Sequence, residues 1–355
     1  MATMQAEQPK KPAATMKAIR FHAFGGPEVL VEEDVPKPEA GEGQALVHIR
    51  AAGVNPVDWK VREGQGYRDR STGDMLPMIS GVDMAGIVEA VGDGVTGLKP
   101  DDAVYAYLGV RRDGTYAQYV AADAQALAPK PQTADFVTAA ALPLVSLVGW
   151  QTLFDTAHLE PGQTVLIHGA AGGVGHMAVQ LAKWKGAKVI GTASARNADF
   201  LRSLEIDEVI DYHKDRFEEK AHNVDVVLDT IAGDTQRRSY QVLKKGGIIV
   251  STLGIEDPGM AEKYGVRATG FMARPDGGEL SQIAELVDRG KLKPAVTEVM
   301  QMKDAAKAQA LSETGHVRGK IVLKASDYVI TQDKKKFGKG GKGKLKLDMD
   351  MGPPE

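Results

Sequence analysis

At 355 residues the chain is too long for one ordinary core, and at roughly 150 residues per domain it corresponds to about two domains. It is globular in composition, with 43% hydrophobic and 26% charged residues, and a formal net charge of −3 excludes the basic field that nucleic-acid binding requires. Cysteine is absent, which excludes disulfides, thiolate catalysis and zinc sites built on sulfur ligands; a reducing compartment, most simply the cytoplasm, is expected.

In chain order, residues 1–15 carry Lys10 and Lys11 but no apolar stretch of the signal-peptide kind, and read as a flexible extension. From residue 16 to 134 short alternating segments are broken by Gly and Pro, among them Ala45 to Ala51, Gly86 to Val91 and Ala103 to Tyr107. That pattern predicts a β-rich domain. The uncharged run Phe136 to Phe154 has the length of a membrane span, yet Pro143, Ser146, Gly149 and Gln151 interrupt it, and a buried helix pair is expected. Residues 135–272 alternate strand and helix (TVLIHGA, VGHMAVQLAKWKG, KVIGTAS, a helix near Ala198 to Ser203, EVIDY, DVVLDTI, GGIIVSTLG), the mark of a parallel sheet covered on both faces. Gly278 to Gly290 reads as an amphipathic helix, and the stretch ending in KIVLKA could rejoin the first domain, which then comprises residues 16–134 and 273–325. Residues 326–355 form a Lys- and Gly-rich tail, expected to be flexible. Its Gly338 to Lys344 satisfies G-x-x-x-x-G-K, but Leu345 follows where a phosphate loop needs Ser or Thr, and no strand leads in.

The strongest motif is TVLIHGAAGGVG, Thr164 to Gly175, an apolar strand running through Ala170-x-Gly172-x-x-Gly175 into a helix. Small residues permit the tight turn, Gly172 admits the pyrophosphate to the backbone, Gly175 lets helix pack on strand, and the helix N-terminus offers free N–H groups. Gly172 is therefore a candidate dinucleotide contact, with Ala171, Gly173 and Val174 beside it in the turn and helix start. The second strand ends at Ser194-Ala195-Arg196-Asn197 with no carboxylate to take the ribose hydroxyl of NAD. Ser194 and Arg196 can instead donate to a 2′-phosphate, which points to NADPH. His168 and His176 flank the turn and are read as strand-end packing and helix-start exposure; Asp211 and Asp229 are read as turn caps.

With these motifs in order, together with GVNPVDWKVREG, GVDMAGIVEAVGDGV, DGTYAQYV, ALPLVSLVGWQTL and GKIVL, the chain resembles the medium-chain dehydrogenase/reductase superfamily, in particular its zinc-free NADPH:quinone oxidoreductase (zeta-crystallin-like) family, from about Met16 to Leu323. The resemblance implies an α/β fold: a GroES-like β-rich catalytic domain and a Rossmann doubly wound domain, with the cofactor between them. In zinc-dependent relatives a Cys stands where this chain has Asn55, and a His-Glu pair where it has Val82-Asp83, so no metal site is expected.

Without a Lewis acid the hydride acceptor must be electron-poor, as quinones and α,β-unsaturated carbonyls are. By resemblance Asn55 is an amide donor that positions cofactor or substrate and Lys60 a cationic donor to the developing oxyanion, with Tyr67 or water open as the proton source. Tyr212 joins Ser194 and Arg196 at the adenosine phosphate end, Ser251, Leu253, Phe271 and Met272 match positions near the nicotinamide half, and Lys320 matches a lysine that reaches the cleft. Val145 and Val148 replace two Thr residues common in relatives, with Ser146 between them. The expected function is NADPH-dependent quinone reduction, with enone or alkenal reduction as the alternative and a non-enzymatic NADPH-binding role as a third reading. No nucleic-acid partner and no membrane span are expected, and a homodimer is.

Overall fold

A computed structural model describes residues 14–65, 76–110 and 113–325. The first part runs β1 (Thr15–Phe21), β2 (Val31–Pro36), β3 (Gln44–Val54), α1 (Pro56–Arg62), β4 (Met78–Ile79), β5 (Asp83–Val91), β6 (Ala103–Tyr107), β7 (Tyr119–Asp123) and β8 (Ala128–Pro129). Next come α2 (Phe136–Ala140) and α3 (Pro143–Trp150), then β9 (Thr164–Ile167), α4 (Gly173–Lys185), β10 (Lys188–Ala193), α5 (Ala198–Ser203), β11 (Glu208–Asp211), β12 (Val224–Asp229), α6 (Gly233–Ser239), β13 (Leu243–Ser251), α7 (Gly259–Tyr264) and β14 (Arg267–Gly270). The described chain closes with α8 (Gly277–Asp288), β15 (Val296–Gln301), α9 (Ala305–Glu313) and β16 (Lys320–Lys324).

Residues 136–154 form the expected buried helices, not one span. Pro143 lacks the N–H that a continuous helix would use, so α2 stops and α3 starts at that proline. Beyond α3 the turn widens to a π-helix, Gln151–Thr156, where the Thr152 hydroxyl donates back to the Val148 carbonyl at 2.6 Å. No helix among the described residues is long and apolar enough to cross a membrane.

The Rossmann sheet is six parallel strands in the order β11-β10-β9-β12-β13-β14. Strand order reverses between β9 and β12, and the carboxyl ends of these strands flank the crevice where such sheets bind ligands. Helix α4 starts at Gly172 with no side-chain cap and stops at Gly186, whose φ of +87° suits only glycine. Its inner face, Met177, Ala178, Leu181 and Ala182, is completely buried.

A three-stranded sheet, β2-β1-β4, and a seven-stranded sheet make up the GroES-like part. The KIVLKA segment forms β16, which lies antiparallel on β3 with Ile321 opposite Val54. On the other side of β3, Gly53 faces Asp83 of β5. Three strand ends therefore converge, and they bring residues 55, 83 and 320 to one point. A Cβ on Gly53 would stand 2.4 Å from the Ala140 carbonyl oxygen, so glycine is what lets α2 lie on this junction.

Candidate active site

The glycine turn is built for close approach of backbone. A Cβ on Gly175 would lie 2.3 Å from the Gly169 carbonyl oxygen, and one on Gly173 would touch Val145 and the Lys320 stem at 3.2 and 3.3 Å. Uncapped α4 thus presents its positive end over a floor of small residues, a cradle that fits a pyrophosphate. The Ala171 carbonyl accepts from the Gly319 N–H at 2.9 Å, which ties the turn to the start of β16.

At the next two strand ends Ser194, Arg196 and Tyr212 come together. β10 and β11 pair Ala193 with Asp211, and the Tyr212 N–H donates to the Ala193 carbonyl at 3.3 Å. Arg196 is exposed, its guanidinium donating, among the described residues, to the His316 carbonyl at 3.2 Å, and Tyr212 is 51% exposed. A cation and hydroxyl groups are therefore available at these strand ends, with Arg318 close by over the Phe200 ring at 5.4 Å. Arg318 was not among the expected contacts, because nothing in its local sequence relates it to α5.

The expected nicotinamide-side residues also gather, at the ends of β13 and β14, where the Phe271 N–H donates to the Ser251 carbonyl at 2.8 Å. Leu253 and Met272 are exposed there. The Ser251 hydroxyl, however, is buried and donates to Asp229 at 2.8 Å, so this residue offers backbone and not its side chain. Asp229 caps its turn as expected, accepting from the Ile231 and Ala232 N–H groups at 2.9 and 3.0 Å. Val145 and Val148 are buried, and the Ser146 hydroxyl between them is spent on the Leu142 carbonyl at 2.7 Å, so it does not replace the missing Thr.

At the junction of β3, β5 and β16 stands a buried polar cluster. Lys320, 2% exposed, donates from Nζ to the Val54 carbonyl at 2.6 Å and to Asn55 Oδ1 at 2.5 Å, and lies 3.8 Å from Asp83 Oδ2. Asn55 Nδ2 donates to Asp83 Oδ2 at 2.8 Å, and Asp83 Oδ1 accepts from the Leu144 N–H at 3.0 Å. The Asn55 amide, expected to face cofactor or substrate, is thus engaged on both sides and positions its neighbours. Burial pushes the Asp83 carboxyl up to about 6 despite Lys320, and burial lowers the Lys320 ammonium. Asp58 on α1 is also buried, its carboxyl pushed by burial up to about 7. The sequence reading missed Asp58, although its place three residues after Asn55, with the Asn55 N–H donating to its side chain at 2.8 Å, is a helix-start signature.

Lys60, expected as a cationic donor, is half-buried on α1 with its ammonium lowered by burial and standing 5.6 Å from the Trp59 ring centroid. Among the described residues it has no carboxylate partner. Tyr67 and the tail lie outside the described residues. His168 packs as expected, between the Thr192 and Ser239 hydroxyls at 3.0 and 2.9 Å. The reading of His176 needs correction: it is not exposed but completely buried, spanning the Gly172 carbonyl at 2.9 Å and the Ala295 N–H at 3.1 Å, because the segment before β15 folds over the start of α4.

Over residues 41–132 the chain matches the family described as Alcohol dehydrogenase GroES-like domain, and over residues 204–323 that described as Zinc-binding dehydrogenase. It is 35% identical over 332 residues to the chloroplastic NADPH-dependent alkenal/one oxidoreductase of Arabidopsis thaliana, covering 90% of this chain and 81% of that protein. Against the quinone oxidoreductase of Mus musculus it is 32% identical over 330 residues, covering 87% and 97%. The solved structure of the quinone oxidoreductase from Coxiella burnetii is similar with a TM-score of 0.82 and 37% identity, over 88% of this chain and 99% of that one.

Proposed function

Because the chain belongs to the quinone oxidoreductase-like family of medium-chain dehydrogenases/reductases, we propose that it reduces a quinone with NADPH and without a metal ion. The single observation that carries the metal-free reading is the Lys320 ammonium, bonded to Asn55 and facing Asp83 where zinc-dependent relatives hold their ligands. A fixed cation there opposes a second one, and Asn55 and Val82 are not zinc ligands. NADPH, and not NADH, is supported by Ser194 and Arg196 at the end of β10, where an acidic residue would be needed for NAD. The bound nicotinamide supplies the hydride.

The chain's own residues bind, orient and exclude water. The start of α4 takes the pyrophosphate, and Val145 and Leu253 shape the apolar walls. Lys60, its ammonium desolvated, stabilises the oxyanion that forms on the acceptor. Reduction of an enone or alkenal by the same hydride is the second reading, favoured by the likeness to the Arabidopsis alkenal/one oxidoreductase. Purified protein mixed with NADPH and a panel of quinones, enones and alkenals tests both readings through the fall in nicotinamide absorbance. Oxidation by quinones is the expected result, oxidation by enones alone would favour the second reading, and no oxidation despite NADPH binding would sink both.

We further propose a homodimer joined through β14, the end strand of the Rossmann sheet, whose outer edge pairs with no strand among the described residues. Sedimentation of the full chain checks it, a monomer being the contrary outcome. The lack of cysteine fits a reducing compartment, and the cytoplasm is the location proposed.

A further inference from the structure

Asp58 is 2% exposed, and its two oxygens are treated differently. Oδ2 accepts from the Asn55 N–H and from the Tyr116 hydroxyl, each at 2.8 Å, whereas Oδ1 is buried with no partner. Retaining a bare buried carboxylate oxygen is costly unless a proton or a water answers it. Asp58 also lines a small cavity with Met78, Ser80, Gly81, Val82 and Val110, with room for a water molecule. Val110, also on its lining, is 37% exposed, and Val82 on the same lining precedes Asp83 of the polar cluster.

The charges around this carboxyl do not balance. Across from α1, β16 contributes Lys320, β5 contributes Asp83, and the approach to β7 contributes the Tyr116 hydroxyl. From α9, Glu313 is taken up by Arg62 at 2.5 Å, and Gln309 accepts from Arg62 at 2.9 Å. One buried ammonium therefore faces two buried carboxyls, and one dissociable proton remains in the cluster. Burial outweighs the Asn55, Tyr116 and Lys320 contributions that favour the anion, so Asp58 loses its proton only near pH 7.

We propose that Asp58 is the proton-relay residue of the reduction, passing its proton through a water in this cavity to the substrate after the hydride has arrived. The inference rests on the reductase reading given above. The acceptor takes two electrons and one hydrogen as hydride from NADPH, which leaves an oxyanion on a quinone or an enolate on an enone. The Asp58 O–H bond then breaks while a hydroquinone O–H, or a C–H at the α-carbon, forms. Asp58 regains a proton from solvent, and the balance per turnover is one NADPH and one proton. An acid must be protonated to act, so turnover falls as pH rises through about 7.

The test is kcat against pH for the full chain and for Asp58→Asn, with NADPH and a simple benzoquinone, alongside NADPH affinity and the infrared band of a protonated carboxyl. Asparagine keeps an acceptor for Asn55 and Tyr116 but holds no acidic proton. The wild type is expected to lose kcat above pH about 7 and to show a carboxyl band that titrates there. In the variant the limb disappears, the band shrinks by one carboxyl while Asp83 still contributes, kcat at neutral pH falls about 100-fold, and NADPH affinity is unchanged. Wild-type rate and limb in the variant would overturn the inference alone, whereas a wild type that binds NADPH but does not oxidise it with any quinone, enone or alkenal overturns it together with the reductase reading. Should Asp58→Asn fail to fold, Tyr116→Phe removes a donor that favours the Asp58 anion. The limb must then move to higher pH, and an unmoved limb refutes the relay.

Discussion

Arg196 and Lys60 make the residue-scale claims most open to measurement. Arg196 is exposed and its hydrogen bond among the described residues goes to a carbonyl that water could replace, so removing it should leave the fold intact. Arg196→Ala is expected to weaken NADPH binding by about 1.5–3 kcal/mol, the worth of a hydrogen bond to a charged group, and to leave NADH binding nearly unchanged. Equal losses in a titration with both cofactors would refute the 2′-phosphate assignment. Lys60→Met keeps the half-buried stem and deletes the ammonium. Turnover should drop at least tenfold with NADPH affinity unaltered, since about 1.4 kcal/mol of oxyanion stabilisation is a factor of ten, and unchanged turnover would make Lys60 a surface residue. At this scale the placing of the glycines, Ser194 and Arg196 was legible because it is local, set by a turn or a strand end. Lys320 was not legible as a partner of Asn55. Its bonds to Val54 and Asn55 span more than 260 positions, and no local pattern records them.

Among the elements, α4 carries the most specific steric demand. Gly175→Ala would place a methyl group against the backbone of residues 169 and 170 at 2.3 and 2.7 Å, with no flexible side chain to give way. We expect a loss of about 1–3 kcal/mol in stability, typical of overpacking, and a larger loss of NADPH affinity, because the helix start that faces the pyrophosphate must shift. Urea midpoints and cofactor titration check the two effects separately, and a variant with normal NADPH binding would show that α4 tolerates the displacement. The element boundaries here were readable from caps and periodicity. The π-helix after α3 was not, nor was the close approach of α3 to α4 at Gly149, where a Cβ would touch Leu181 at 3.0 Å.

For the molecule as a whole, the buried titratable groups set opposing pH dependences. Burial pushes Asp58 and Asp83 up to about 7 and about 6, above the usual carboxylate value of 3.8, so their contribution is fullest below 3.8 and is lost as pH rises through 6 to 7. Burial lowers His168 and His176 from 6.5 to about 4, so theirs is present above 6.5 and lost as pH falls toward 4. Between pH about 4 and 7 the two pairs oppose each other. Removing a carboxyl with Asp58→Asn should therefore make stability climb more steeply with pH than in the wild type, and His176→Gln should make it climb less. Urea denaturation at several pH values measures both slopes; a slope that moves the other way in either variant would contradict the assigned burial.

By itself the sequence determined the α/β class, the nicotinamide turn and the lack of a sulfur-ligand metal site. These depend on periodicity, small residues at a turn and residue types that are present or missing, all of which are local or countable. Only the tertiary structure decided which side chains share a buried volume. Asn55, Asp58, Asp83 and Lys320 lie on α1 or at the ends of β3, β5 and β16, and the register Val54 opposite Ile321 and Gly53 opposite Asp83 puts them in contact. Desolvation in that contact, and not residue identity, raises the two carboxyls and lowers the ammonium, so their chemistry exists only once the strands have paired.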